Sequence, residues 1–174
     1  FHYNTHTIGG NRHDLPAGWG AKVKAALDVI EARLPEYGAM TLENRIFQQR
    51  TKNVGVLDGE LALELGITGP NLRASGVDHD LRRDAPYSAY DEVKVKVAVA
   101  KAGDCYARSE VRVAEVKENI RLCRLFVDGM PEGPINSGKP TKLPVQTKIP
   151  VGQTYVGIET PRGELGTWLI ADGT

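Results

Sequence analysis

Apolar residues in the first third of the chain recur at three- and four-residue spacing. Val23, Ala26, Leu27, Ile30 and Leu34 fall on one face, and Lys22, Lys24, Asp28, Glu31 and Arg33 take the other positions. That pattern predicts an amphipathic helix. Asp14 followed by Leu15-Pro16 reads as its start, after a polar opening that turns at Gly9-Gly10. Pro35 lacks the N–H for an interior bond, so a kink or break is expected there. A second helix is expected over 42–49, with Thr41 and Asn44 competing to cap it. Asp58 to Leu65 reads as a short helix ended by Gly66.

Farther on the period changes. Val93, Val95, Val97 and Val99 alternate with Lys94, Lys96 and Ala98, which predicts a strand with the valines on one sheet face. From Asp104 to Asp128 the spacing returns to three and four through Val113, Val116, Ile120, Cys123 and Val127, and Gly129 supplies a stop. Cys123 lies in that stripe and reads as a small buried hydrophobe in preference to a redox group. Between these elements Gly66, Gly69, Pro70, Ser75, Gly76 and Pro86 predict loops. Residues 133–158 hold no Asp or Glu but carry Lys139, Lys142 and Lys148 among four prolines. They read as an extended, mildly basic linker, or else as a strap docked on an acidic partner. At the end Tyr155, Val156 and Ile158 lead to a reversal at Pro161 and Gly163, and Leu165, Trp168, Leu169 and Ile170 run back. This is a β-hairpin with a charged tip. The fold class is α+β: long amphipathic helices with small β-hairpins.

Composition narrows the function classes. With 174 residues, 41% hydrophobic content and 22 basic against 22 acidic groups, residues 1–174 suit a single soluble globular unit without a basic or acidic tail. No apolar run approaches the roughly 20 residues that span a bilayer, so a membrane link is expected to go through a partner. Cys105 and Cys123 lack Cys-x-x-Cys spacing, which argues against a disulfide framework or a metal motif. Phosphate-cradling, dinucleotide-binding, zinc-protease and nucleophile-elbow motifs are missing from the sequence. His2 and His6 are four apart, but Gly9-Gly10 and the β-branched Thr5, Thr7 and Ile8 argue against the helix that would make them a metal pair. His79, between Asp78 and Asp80, is either an oriented general base or part of a hydrogen-bonded surface loop. The chain opens on Phe1 without a Met and stops at Thr174 just after a strand-like run, so an internal fragment of a longer polypeptide is expected.

Three stretches carry a resemblance: GVDHDLRRDAPYSAYDEV at 76–93, GDCYARSEVRVAEVKENIRL at 103–122 and IETPRGELGTWLIADGT at 158–174. In this order they resemble the D-type, quinone-site subunit of respiratory complex I, an NADH-quinone oxidoreductase, whose family shares its fold with nickel-iron hydrogenase large subunits. The resemblance implies a single partial domain, the middle part of a hydrogenase-large-subunit-like fold, lacking N- and C-terminal parts. It implies an oxidoreductase active only in the assembled complex. There, electrons pass from an iron-sulfur cluster on a small partner subunit to quinone, coupled to proton translocation. NADH would bind on other subunits, and this stretch would bind no cofactor or metal itself. The complex would sit on the cytoplasmic side of the inner membrane, with this chain peripheral and without a transmembrane segment.

Residue by residue, Phe1, His2, Gly9 and Gly10 match the family's segment near that cluster, so His2 is implied to exchange a proton as the cluster changes charge. Thr5 and Thr7 replace its usual Tyr and Arg. Arg73 in LRASG, Arg82 in DLRRDAPY, and Arg162 with Glu164 in PRGELG match loops facing the cluster or quinone side. Their plain competing role is to hold loops together through arginine bonds. Thr167 stands where hydrogenases often place a histidine, which favours the complex I branch. The short basic segment at 133–158, where complex I subunits often carry a longer insertion, keeps open the large subunit of a membrane-bound energy-converting nickel-iron hydrogenase. A third alternative is a scaffold without catalysis.

Overall fold

The computed structural model of the chain describes residues 5–7, 9–137 and 148–173. His2 and the basic positions Lys139 and Lys142 lie outside the described residues. Six α-helices are present among them: α1 (Trp19–Met40), α2 (Arg45–Thr51), α3 (Gly59–Glu64), α4 (Gly69–Ala74), α5 (Leu81–Asp84) and α6 (Cys105–Asp128). Two antiparallel ribbons accompany them: β1 (His6–Thr7) with β2 (Gly10–Asn11), and β3 (Gly152–Thr160) with β4 (Gly163–Ala171). The architecture is thus mixed helix and strand with two small hairpins.

Helix α6 organises the rest. Asp104 caps it, its Oδ1 accepting from Ala107 N at 2.7 Å, and the same carboxylate accepts from Asn53 N at 2.8 Å, which ties the chain after α2 to the start of α6. Helix α4 packs on the first half of α6 through Ala74, Ala107 and Val111, with Ala98 and Ala100 against them. Small side chains at this contact let the backbones approach closely. Helix α1 lies along the second half of α6, joined by Arg124 to Asp28 and Glu31 and by Lys24 to Asp128. Among the described residues no helix is long and apolar enough to cross a membrane.

Several elements differ from the sequence expectation. Helix α1 starts at Trp19, behind Gly18 in the left-handed conformation (φ 74°), and not at Leu15-Pro16. It also runs through Pro35 to Met40. Proline there removes the bond to the Glu31 carbonyl, but Glu31 is exposed and water can take that acceptor. Of the two candidate caps for α2, Asn44 is the one used, accepting from Ile46 N and Phe47 N. The valine segment 93–99 is not a strand among the described residues. Val95 does turn inward, but the backbone finds side chains of α6 in place of a β-ladder: Lys96 N donates to Glu118 Oε1 at 2.8 Å and Lys94 O accepts from Arg121 Nη2 at 2.6 Å. The alternation holds only at its start: Val95 is buried, but Val99 is exposed and it is Ala98 and Ala100 that pack on the core. Cys123 is exposed: of the predicted stripe only Ile120 is fully buried, and the other buried positions of α6 are Ala107, Val111, Glu118 and Leu122. The start of the expected linker pairs with the opening ribbon, through Asn11 N to Ile135 O at 2.9 Å and Ser137 N to Gly9 O at 2.8 Å.

The C-terminal hairpin follows its turn signals. Tyr155 pairs with Trp168 and Glu159 with Glu164 in its register. It docks on α4 by a close backbone contact. Gly69 sits at φ 69°, and a Cβ there would lie 2.3 Å from Gly163 Cα. Thr68 Oγ1 accepts from Glu164 N at 2.8 Å, so the first turn of α4 and the start of β4 are held together.

Candidate functional site

The largest fully buried side chain among the described residues is that of Arg73, with 1% of its surface exposed. It leaves the last turn of α4 and reaches three other parts of the chain. Its Nε donates to Glu115 Oε1 on α6 at 2.8 Å, Nη1 to His79 O at 3.0 Å, and Nη2 to Glu159 Oε1 on β3 at 2.9 Å. Asp80 Oδ2 lies 3.5 Å from Nη1. The fork of arginine supplies donors in several directions from one charge, a geometry a lysine lacks.

Arg82 completes the cluster. Asp80 caps α5 by accepting from Arg82 N at 3.0 Å, and its two oxygens take Arg82 Nε at 2.9 Å and Nη2 at 2.6 Å. Arg82 Nη1 turns to Asn119 Oδ1 on α6 at 2.7 Å. Burial by itself raises the Asp80 carboxyl, but the bonds and charge of Arg82, with Arg73 behind it, outweigh burial and hold it below the ordinary carboxylate value. The Arg82 guanidinium is held above its ordinary value, chiefly by its bond to Asp80. Glu159 also accepts from Leu81 N at 3.4 Å, and its backbone N donates to Tyr87 Oη at 3.1 Å. Burial pushes the Tyr87 phenol up, so it stays protonated there.

Beside the cluster lies a cavity of about 420 Å³, walled by Arg82, Tyr90, Arg112, Glu115, Asn119 and Glu159 among others. Its size is that of a small-molecule pocket. Tyr90 stands edge-on to Tyr87 and Phe126, at 5.0 and 5.4 Å between ring centroids. Around it the arrangement can fix charge and hold three elements rigidly. Among the described residues no group of three or more His, Cys, Asp or Glu could hold a metal ion.

Of the residues singled out from the sequence, Arg73 and Arg82 are brought together. Arg162 is exposed at the turn of the hairpin, where its backbone N donates to Thr160 Oγ1 at 3.3 Å. Glu164 points along the ribbon and accepts from Tyr155 Oη at 2.5 Å. Neither is bonded to Arg73 or Arg82 among the described residues. His79 Nδ1 lies 3.0 Å from Asp84 Oδ2, in a partly exposed loop where Arg83 binds Asp78 and Asp84. Sequence reasoning missed Glu115, Asn119 and Glu159. Glu159 is the one acid on the inward run of an apolar strand, which was its only local signal. Its partner is 86 positions away.

Comparison with known proteins bears on the same residues. A profile of the family described as respiratory-chain NADH dehydrogenase, 49 Kd subunit, matches residues 1–149. A D-type subunit of the NADH-quinone oxidoreductase of Rhizobium etli is 40% identical over 189 aligned positions, covering 96% of this chain and 47% of the relative. The D-type subunit of the Clostridium beijerinckii enzyme is 44% identical over 166 positions, covering 95% and 44%. The chain therefore spans about half the length of the curated relatives it matches. Among solved structures, a chain of the membrane-bound sulfane sulfur reductase, an archaeal respiratory membrane complex, superposes with a TM-score of 0.87 at 35% identity, covering 95% of this chain and 45% of that one. With the family profile running through α6 and these relatives matching nearly the whole chain, the protein belongs to the family of the 49 Kd subunit of respiratory-chain NADH dehydrogenase.

Proposed function

We propose that this chain is part of the quinone-site subunit of an NADH-quinone oxidoreductase. In that enzyme, electrons reach quinone from an iron-sulfur cluster on a small partner subunit, coupled to proton translocation, and NADH is oxidised on other subunits. The observation that carries the reading is the identity of 40 to 44% to D-type subunits of NADH-quinone oxidoreductases over nearly all of this chain. The complex would be attached to the cytoplasmic side of the inner membrane, with this chain peripheral. These relatives do not favour the hydrogenase alternative.

Within that reading, the Arg73–Asp80–Arg82 cluster holds the 76–86 loop, the hairpin and α6 in one fixed arrangement beside the reacting partners. The guanidinium donors of Arg73 and Arg82 are turned to this chain's own acceptors, so their role is to position the loops and set the local charge. Arg162, free of an ion pair among the described residues, faces outward at the hairpin turn and is available to a neighbouring subunit, with Glu164 stabilising the ribbon behind it. His2 is assigned the proton exchange beside the partner's cluster.

The test is electron transfer in membranes from cells with and without the full-length gene. Loss of NADH-driven reduction of a water-soluble quinone, with NADH oxidation by ferricyanide retained, is expected and supports the reading. Undiminished quinone reduction without the gene product overturns it.

A further inference from the structure

Where α1 ends and α2 begins, Met40, Asn44, Ile46, Phe47, Arg50 and Thr51 line a shallow groove of about 500 Å³. The sequence sets its geometry. Asn44 accepts from Ile46 N at 2.9 Å and Phe47 N at 3.2 Å, which fixes the rotation of the short helix. Phe47 then faces the Tyr106 ring on α6, at 6.3 Å between centroids, and Tyr106 Oη is anchored to Leu42 O at 3.1 Å. Ile46, one position earlier and about 100° round the helix, is left facing out with 66% of its surface exposed, and Met40 on the other wall is 64% exposed.

Charge sets this groove apart from other exposed apolar positions. The chain as a whole is balanced, yet residues 41–56 carry Arg45, Arg50 and Lys52 against Glu43 alone. Among the described residues neither Arg45 nor Arg50 takes part in an ion pair. Lys52 lies over the Tyr106 ring and binds Gln48, so it too meets no carboxylate. Arg50 stands four residues after Ile46, on the same helix face. Apolar walls rimmed by unpaired cations fit a partner of matching chemistry.

We propose that this groove docks an acidic, apolar-anchored peptide segment of a neighbouring subunit. One aliphatic or aromatic side chain enters between Met40, Ile46 and Phe47, and nearby carboxylates pair with Arg50 and Arg45 at the rim. The inference rests on the chain being a subunit of a larger complex, and it assigns a contact remote from the Arg73 cluster.

The experiment places a photoreactive amino acid at position 46 of the full-length chain in the assembled membrane complex and sequences the cross-linked peptide. A parallel sample carries the probe at Met40, and Leu63, an exposed position on α3, serves as the control. The expected product is a peptide of another subunit, joined at an apolar residue with at least two Asp or Glu within about one helical turn. Arg50→Glu should lower the yield about two- to fivefold, the scale of an exposed ion pair. The same peptide from position 40 supports the assignment even if the variant at 46 assembles poorly. Cross-links to the same polypeptide, to a second copy, to lipid, or to a peptide lacking acids overturn it, as does a yield no greater than at Leu63. Quinone reduction by the same membranes is measured alongside, so that loss of the functional reading is distinguished from loss of the docking site.

Discussion

Arg73 is where a single side chain does most for the structure. Three carboxylates and a backbone carbonyl converge on it, and two of those carboxylates come from α6 and β3, which among the described residues are joined by no other ion pair. Arg73→Met therefore removes more than one bond. It leaves Glu115 and Glu159 facing each other across an apolar side chain, and breaking a buried pair from one side costs about 3–5 kcal/mol. Arg73→Lys keeps the charge but replaces a planar fork with a point, so an intermediate loss of about 1–3 kcal/mol is expected. Urea unfolding of the two variants measures both. Adding Glu159→Gln to Arg73→Met should recover part of the loss, because one stranded charge is removed. No recovery would mean that the hairpin carboxylate is not held by Arg73.

At the scale of elements, close approach of backbones decides how the hairpin sits. Gly66 and Gly69 have nearly the same left-handed conformation, φ 65° and 69°, but open space surrounds the first and Gly163 backbone crowds the second. An alanine at either position costs about 1 kcal/mol in backbone conformation. At Gly69 the added Cβ also meets rigid backbone, so Gly69→Ala should destabilise clearly more than Gly66→Ala and shift the Trp168 fluorescence of the hairpin. Equal effects would refute that contact. The same contrast explains what was legible in the sequence. The hairpin and α6 were, since Pro161, Gly163, Asp104 and Gly129 are local signals that act within a few residues. The valine segment 93–99 was misread because period two reports the two faces of an extended chain and is silent on whether a strand or a helix lies alongside. Arg73 and Arg82 stood out through the family resemblance, and nothing local pairs them with their partners on α6 and β3, which lie 37 to 86 positions away.

For the whole molecule, charge carries an unusual share of the cohesion, because the buried apolar set is small and built largely of alanine, valine and leucine, while charged side chains join α1, α4, α5 and β3 to one another or to α6. That predicts an acid-sensitive fold. Asp80, Asp104 and Glu118 are each raised by burial but lowered further by their donors, Arg82 for the first, the Ala107 and Asn53 amides for the second and Arg121 with the Lys96 amide for the third. Asp84 is brought to about 2, first by its bond to Arg83. A carboxyl whose folded value is depressed binds its proton more readily in the unfolded chain. Its contribution is therefore complete above the unfolded value of about 4 and is lost as pH falls through the folded value. The urea midpoint of the chain, followed through Trp19 on α1 and Trp168 on β4, should stay level between about pH 7 and pH 5 and fall below about pH 4. Asp84 contributes least, being the most solvent-screened of the four. The Trp168 signal should shift first, since the hairpin is bonded to the loop that Asp80 holds, and Asp80→Asn should flatten the acid limb while lowering stability at neutral pH. A midpoint that already declines near pH 6 would point instead to histidine, and one that stays level to pH 2 would show that these carboxylates are not held below their ordinary values.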